Sequence, residues 1–301
     1  MPTGPFAGTF RSACDDLAMR VGISPFGTSR DGVLELASVA VDGGLDTLWL
    51  GDGLLANEDF PAWSGGMESF CELAWLAGAI PTARIGITAA VLPLRDPVWV
   101  IKQAATLDNL TGGGFVFVVT PGFWEREFDY RGLEFTRRGD RFAEAVEAVR
   151  AGLAGRPHEG EHFHLPADGR LAPVPVTPDG PPIWLAGGPA TMRRALAMGL
   201  PFQASRATPD ELAITAKAFF DGGGTVLAHR VKVQVGEPPA EGRNVDWHAV
   251  SGSVEELVDQ LGRFAELGVS DLSVAPGADE TTNRRTVEAL ATEVLPRLGW
   301  T

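Results

Sequence analysis

One short segment of the sequence has the residue types that bind an anion. Residues 187–191 read Gly-Gly-Pro-Ala-Thr and directly follow an apolar run at 182–186. Glycines let the backbone approach a ligand closely, and the free N–H groups at the start of a helix favour a phosphate. Gly187, Gly188 and Thr191 are therefore candidate phosphate ligands. From the motif alone, a plain strand-to-helix turn is the alternative interpretation.

Large aromatic residues follow two other apolar runs. Phe26 ends the first of these runs, and Phe123 and Trp124 come shortly after the run 115–120. Aromatic side chains at strand ends can form the wall of a ligand pocket, whereas elsewhere they are ordinary core. Their position makes Phe26, Phe123 and Trp124 candidates for a substrate pocket.

The common hydrolytic and metal-dependent sites are not indicated. His158, His162 and His164 do not have the spacing of a known zinc site, so we expect structural or solvated roles for them and predict no metal. No GxSxG motif occurs, which argues against a serine hydrolase of the nucleophile-elbow type.

The lysines do not suggest a Schiff-base enzyme, which needs a lysine at a strand end. Lys102 and Lys217 fall in helical patterns, and Lys232 falls inside or late in the seventh apolar run. The same run offers His229 or Arg230 to a site, depending on its register. Because no nucleophile, base or metal set stands out, the sequence fits an enzyme whose cofactor carries the chemistry.

Short runs of β-branched and aromatic residues alternate with helical patterns along the whole chain. This order is typical of a (β/α)8 (TIM) barrel, in which the site lies at the carboxyl ends of the strands; a doubly wound open sheet is the alternative. We predict a single domain over residues 1–301, with an N-terminal extension at 1–18 and an ordered insert at 155–181. The predicted strands are residues 20–26, 46–51, 85–92, 115–120, 182–186, 202–205, 225–235 and 272–275.

Composition narrows the choice of partners and compartment. The 301 residues carry a net charge of −14, which argues against nucleic acid and anionic membrane surfaces as partners. No apolar run is long enough to span a membrane, and the first residues do not resemble a secretory signal, so we expect a cytoplasmic protein. Cys14 and Cys71 form no CxxC motif, and Cys71 is expected to be a small buried apolar residue.

Several longer motifs follow one another in a recognisable order. They are VLPLRDPVWVIKQAATLDNLTGGGF, the pair Glu127 and Phe128, RRGDRFAEAVEAVR, GPPIWLAGG and SGSVEELVDQLGRFAELGVSDLSV. This series resembles the luciferase-like monooxygenase family, which includes FMN-dependent monooxygenases and deazaflavin (coenzyme F-420) oxidoreductases. The resemblance covers about residues 20–298 and implies a luciferase-like barrel.

The resemblance also implies roles for individual residues. The turn with Gly187, Gly188 and Thr191 would hold the cofactor phosphate. Ala89 and Ala90 would belong to a bulge in the third strand against which the flavin ring rests, and small residues there allow close approach of a flat ring. Thr120 and Gly122 correspond to the family's glycine-rich turn after the fourth strand.

Three positions depart from the family pattern. Asp52 matches the aspartate of an Asp-His pair, but Gly53 replaces the histidine that commonly faces the cofactor or substrate. Asp52 is therefore the sole catalytic candidate, and capping of the next segment is its alternative role. Gly114 replaces an arginine before the fourth strand, and Thr120-Pro121 replaces glycines after it.

The resulting hypothesis is an oxidoreductase with FMN or coenzyme F-420 as cofactor and a small organic molecule as substrate. With reduced FMN the reaction would be oxygenation of the substrate, and with the deazaflavin it would be hydride transfer. The departures motivate an alternative, a cofactor-binding or degenerate barrel without catalysis. Family members often pair through barrel helices, so a homodimer is also expected.

Overall fold

The structure of the protein is a computed structural model that describes residues 19–25, 29–56, 66–237, 249–276 and 279–300. The predicted extension at 1–18, and Phe26, lie outside the described residues. None of the helices in the described ranges has the length and apolar character needed to cross a bilayer.

Eleven strands and ten α-helices are described, and most of them alternate. The strands are β1 (Arg20–Ile23), β2 (Thr47–Leu50), β3 (Arg84–Val91), β4 (Phe115–Thr120), β5 (His158–Glu159), β6 (His164–Leu165), β7 (Ile183–Ala186), β8 (Phe202–Ser205), β9 (Leu227–Val235), β10 (Ala249–Gly252) and β11 (Val269–Pro276). The helices are α1 (Arg30–Asp42), α2 (Ser69–Ala79), α3 (Pro97–Leu110), α4 (Glu125–Tyr130), α5 (Arg138–Leu153), α6 (Pro189–Met198), α7 (Pro209–Asp221), α8 (Val254–Glu266), α9 (Glu280–Ala289) and α10 (Leu295–Leu298).

Eight of the strands form a closed parallel barrel. Their order is β1-β2-β3-β4-β7-β8-β9-β11, and β11 pairs with β1 to close the ring. Closure confirms the predicted (β/α)8 barrel and excludes the open sheet. β10 pairs in parallel with β9 beyond the end of β8, and it therefore extends the wall at the carboxyl end of the barrel.

Local sequence signals agree with the observed element ends. Asp96 caps α3 by accepting hydrogen bonds from Val98 N and Trp99 N, and Pro97 lies in the first turn, where its fixed φ suits a helix start. Ser253 and Glu256 form a capping box at the start of α8.

The expected burial of Cys71 is wrong. Cys71 is exposed on α2, because Phe70, Leu73 and Leu76 form the buried face of that helix. Four elements were also not anticipated: the strand β10, the helix α4, and the hairpin of β5 and β6. The hairpin lies within the insert at 155–181 and is held by Glu144 of α5, whose Oε1 accepts from His162 N and Phe163 N at 2.8 and 2.7 Å.

The core has two layers. A large outer layer packs the helices against the strands, and a small inner cluster fills the barrel with Trp49, Val116, Val118, Trp184 and Ala228. The amino-terminal end of the barrel is closed below this cluster by an ion pair between Arg84 Nη1 and Asp271 Oδ1 at 2.6 Å. Since this ion pair occupies the amino-terminal end, a ligand site is expected at the carboxyl ends of the strands.

Candidate active site

The mouth of the barrel is its opening at the carboxyl ends of the strands. Along each strand, residues that face this opening alternate with residues that pack in the outer core layer. On β9, Val231 and Val233 pack outward. Arg230 and Lys232 therefore face inward together with Ala228 of the inner cluster. The two tryptophans of the inner cluster, Trp49 and Trp184, have ring centroids 6.0 Å apart and form the floor of this mouth.

β3 contains the bulge that the resemblance implied. Its register against β4 shifts between Ile87 and Ala90, and the Thr88–Ala89 peptide bond is cis. Ala89 packs against the inner cluster, whereas the side chain of Ala90 is fully buried in the outer core. Of the two predicted ring contacts, only Ala89 presents its side chain to the interior, and Ala90 offers its backbone.

Two side chains from other strands fix this bulge. Thr88 Oγ1 donates to Gln203 Oε1 of β8 at 2.6 Å, and Arg230 Nη1 of β9 donates to the carbonyl oxygen of Thr88 at 2.7 Å. β9 is the strand diametrically opposite β3 in the eight-membered ring. The bulge is thus held from across the barrel, which orders it before any ligand binds.

The turn between β7 and α6 has the features of an anion cradle. Gly188 is the N-cap of α6 and has no side-chain capping bond. A Cβ atom added to Gly188 would meet nothing within 4 Å, so the space above it is open. Gly187 has φ of 155°, and Thr191, which is 3% exposed, packs beneath it. Thr191 therefore supports the turn, and the backbone of Gly188 faces the open space.

The segment after β4 forms one side of the rim. Gly122 is buried with φ of +80°, and a Cβ there would come within 2.7 Å of Val91 Cγ1 and 3.0 Å of Phe128. Thr120 and Trp124 are half-buried. Phe123 is 70% exposed, with the Arg206 guanidinium 5.9 Å from its ring centroid. Glycine is required at 122 for packing, while Phe123 and Trp124 are available to a ligand.

Asp52 is engaged in structural contacts at the end of β2. Its carboxylate accepts from Arg95 Nε and Nη2, from Ser69 Oγ at 3.0 Å and from Val91 N at 2.9 Å. The side chain is only 5% exposed. These contacts favour the capping interpretation of Asp52 over the catalytic one.

Of the two β9 alternatives, the structure turns His229 outward. Its Nε2 lies 3.0 Å from the Ala207 carbonyl oxygen, and its ring packs on Phe264 of α8 with centroids 4.9 Å apart. Burial lowers the pKa of His229 to about 4. Sequence reasoning did not single out Gln203 or Lys232 as site residues, because strands buried on both faces do not show which residues face inward.

A buried carboxylate also lies near the rim. Glu127, at the start of α4, accepts from Leu54 N at 2.6 Å and from Leu55 N at 3.4 Å, and so ties down the segment after β2. Burial raises the pKa of Glu127. Its hydrogen bonds identify it as a residue that shapes the rim.

Comparison with known proteins assigns the family. A family model described as luciferase-like monooxygenase matches residues 10–222. The chain belongs to the luciferase-like monooxygenase family. The closed barrel described above is thus a luciferase-like barrel.

Curated relatives of this luciferase-like chain are distant. An uncharacterised protein of Mycobacterium tuberculosis is 31% identical over 142 residues, which cover 46% of this chain and 48% of the relative. The pyrimidine monooxygenase RutA of an Enterobacter species is 33% identical over 123 residues, which cover 38% of this chain and 33% of the relative. The chain thus spans half or less of the length of these curated relatives.

Solved structures share the fold of this luciferase-like chain over nearly its whole length. The oxygenating component of 3,6-diketocamphane monooxygenase from Pseudomonas putida, in complex with FMN, has a TM-score of 0.72 at 16% identity and covers 93% of this chain and 98% of its own. The coenzyme F420-dependent tetrahydromethanopterin reductase of Methanopyrus kandleri has a TM-score of 0.75 at 15% identity and covers 93% and 99%. At these identities the likeness shows the fold alone.

Proposed function

We propose that this chain is an oxidoreductase that uses a flavin or deazaflavin cofactor to transform a small organic molecule. The observation that carries the proposal is the β3 bulge at Thr88 and Ala89, which faces the barrel interior and is held from the opposite wall by Gln203 and Arg230. A flat ring system would rest against it. Related folds are described with FMN and with coenzyme F420, which supports both cofactors as candidates.

The residues around the mouth fit such a cofactor. The open space above Gly188 accommodates a phosphate, and the amino terminus of α6 supplies a partial positive charge there. Ala89 lets a ring approach the bulge closely, and Phe123 and Trp124 offer apolar contacts at the rim. Thr120 and the backbone of Gly122 lie between these groups at the end of β4.

No acid–base pair is present in the described mouth. The cofactor would therefore carry out the chemistry, and the protein residues would bind and orient it. A reduced flavin bound there would supply electrons for oxygenation by O₂, and a reduced deazaflavin would supply a hydride. The chain's own residues would bind and orient the cofactor: the turn after β7 would hold its phosphate, the bulge would support its ring, and the aromatic rim would exclude water. Asp52 and Glu127 keep the rim in shape through their hydrogen bonds.

The three departures from the family pattern differ in their relevance to cofactor binding, because one lies away from the mouth and two lie at it. Gly114 precedes β4, and its carbonyl oxygen accepts from Ile85 N at 3.0 Å at the amino-terminal end of the barrel. It therefore lies away from the mouth, and the missing arginine does not remove a ligand contact. Gly53 and Thr120-Pro121 are at the mouth. Because of these two departures, a degenerate, non-catalytic barrel is the alternative to the proposed oxidoreductase.

Parallel titrations with FMN and with coenzyme F-420 test the proposal. Quenching of tryptophan fluorescence is a suitable readout because Trp49 and Trp184 lie under the mouth. The probe variant is Gly188→Val: its φ of −82° suits valine and the added side chain enters open space, so the fold is retained. Gly169→Val, at another glycine with nothing within 4 Å, is the matched control.

The expected result is saturable binding of one cofactor, weakened about tenfold or more by Gly188→Val and unchanged by Gly169→Val. Unchanged affinity in Gly188→Val would move the phosphate elsewhere. Failure of both cofactors to bind would favour the degenerate barrel. The homodimer and the cytoplasmic location stay predictions, and light scattering of the purified chain tests the first.

A further inference from the structure

The wall of the mouth opposite the β3 bulge carries a group of polar side chains, of which only Gln203 has so far been given a role, that of holding the bulge. We propose that this group binds the carboxylate of an anionic substrate, with Lys232 as its central ligand; the proposal rests on the function proposed above. We call it the donor wall. Its members are Ser24, Gln203, Lys232 and Ser273, which come from four neighbouring strands or strand ends of the ring. They lie at different depths, because Ser273 is in register with Arg230 and Gln203 with Ala228, both deeper in the barrel than Lys232.

Lys232 is a cation placed in the barrel without a counter-charge. It faces inward on β9, in register with Ala275 of β11, and it is only 9% exposed. Among the described residues its ammonium has no hydrogen bond and no ion pair, and it is not among the fully buried polar atoms. A mostly buried, unpaired cation that still reaches the opening of the barrel is expected to serve a ligand.

Among the described residues, three carboxylates of the barrel ends are already engaged. Asp52 is paired with Arg95, and Glu127 accepts from backbone N–H groups. Asp271 is paired with Arg84 at the amino-terminal end of the barrel. These three carboxylates are thus not available to Lys232, although the whole chain has a net charge of −14.

The other members of the donor wall add hydrogen-bond donors. Ser24 Oγ and Ser273 Oγ are buried and have no hydrogen-bond partner in the described part of the chain. Gln203 uses its carbonyl oxygen to accept from Thr88, and its buried Nε2 is likewise without a partner there. Buried polar atoms are normally satisfied. The donor wall thus offers hydroxyl, amide and ammonium hydrogen-bond donors. An ionised carboxylate accepts hydrogen bonds and donates none, so it matches this set of donors.

A second positive charge, one layer below Lys232, strengthens the preference of the donor wall for an anion. Arg230 lies one layer below Lys232, and although burial lowers its pKa to about 10, it stays protonated at neutral pH. Burial also lowers the pKa of Lys232, and a bound anion would offset that cost.

Lys232, the centre of the donor wall, lies apart from the cofactor anchor, while Gln203 connects the wall to the bulge through Thr88. The glycine turn follows β7, and the bulge is on β3, whereas Lys232 is on β9. A molecule held by the donor wall would therefore face a ring resting on the bulge from the other side of the mouth. A substrate would occupy this place. An anionic group of the cofactor is the alternative ligand for the same donors.

Benzoate and its neutral analogue benzamide are suitable probes for the purified full-length chain. We expect benzoate to bind about tenfold or more tightly than benzamide, because a charge-assisted hydrogen bond is lost in the amide. Lys232→Met should abolish this difference and leave the affinity for FMN or F-420 within about twofold, whereas Lys232→Arg should retain part of it. Lys217→Met is the matched control, since Lys217 is 76% exposed and pairs with Asp221.

Three results would overturn the proposal. The first is equal binding of benzoate and benzamide by the unaltered chain. The second is a preference for benzoate that survives in Lys232→Met while the protein remains folded by circular dichroism. The third is a Lys232→Met variant that loses cofactor affinity in place of benzoate affinity. A benzoate preference that depends on Lys232, in a protein that binds neither cofactor, would support the anion site and contradict the redox function.

Discussion

The carboxylate of Asp52 and the guanidinium of Arg95 form a two-point ion pair at the barrel mouth, with Oδ1–Nη2 and Oδ2–Nε distances of 2.5 and 3.0 Å. The same carboxylate accepts from Val91 N at the end of β3. Asp52 therefore connects the ends of two neighbouring strands through one side chain. A residue with all these partners orders the rim.

Asp52→Ala should lower the free energy of unfolding by about 3 kcal/mol, because it leaves the mostly buried Arg95 guanidinium without its main partner. Urea denaturation gives this quantity directly. Asp221→Ala, which removes the exposed partner of Lys217, should cost less than about 1 kcal/mol. A variant Asp52→Asn with unchanged stability but lost turnover would instead restore the catalytic assignment.

His229 should make the stability of the protein depend on pH. Its pKa falls from 6.5 to about 4 on folding because the ring is buried, so between these values the unfolded chain binds a proton that the folded chain excludes. The free energy of unfolding therefore decreases as the pH falls through this window. From pH 7.5 to pH 5 the contribution is about 2 kcal/mol.

The variant His229→Gln isolates this contribution, since glutamine can still donate to the Ala207 carbonyl oxygen. The difference in unfolding free energy between the unaltered chain and the variant should shift by that amount between the two pH values. A difference that is constant with pH would show that the folded ring binds its proton normally.

The hydroxyl of Thr88 should matter for cofactor binding more than for folding. Thr88→Val keeps the shape and removes the donor to Gln203, which costs about 1–2 kcal/mol of stability and loosens the bulge. We expect the cofactor dissociation constant to rise severalfold in fluorescence titrations. Thr286→Val removes another buried hydroxyl, which accepts from Val235 N at 3.2 Å far from the bulge, and should leave cofactor affinity unchanged.

Packing inside the barrel predicts one strongly destabilising change. A Cβ atom at Gly86 would overlap the indole of Trp49, so Gly86→Ala should lower the unfolding free energy by about 1–3 kcal/mol. Thermal denaturation measures the effect, with Gly169→Ala expected to be near neutral because its surroundings are open. Equal melting temperatures for the two variants would mean that Trp49 moves without cost.

The barrel fold could be predicted from the sequence because helix caps and hydrophobic periodicity indicate the same strands and helices. The bounds of β4 and β8 match their predicted ranges, and caps such as Asp96 mark helix starts. β10 was missed because four residues contain no period of their own, and it is defined only by pairing with β9. The β5–β6 hairpin was missed for a similar reason, since Glu144 holds it from another element.

The site was less accessible to sequence reasoning than the fold. The glycine turn was recognisable because close backbone approach requires specific residues. The roles of Gln203, Arg230 and Lys232 depend on which face of a doubly buried strand points inward, and apolar runs do not encode that choice. Asp52 was ambiguous because its main partner, Arg95, lies 43 positions away in the chain.

The contact of Trp49 with both neighbouring strands has a consequence for how this barrel can change over generations. A Cβ at Gly86 of β3 would overlap only the indole of Trp49, whereas a Cβ at Gly22 of β1 would also collide with the backbone carbonyl oxygen of Thr47. A single substitution at Gly86 crowds the interior, and a smaller residue at Trp49 empties it. Gly86 and Trp49 should therefore vary as a pair among descendants of this chain, whereas Gly22 should stay glycine whatever residue stands at position 49.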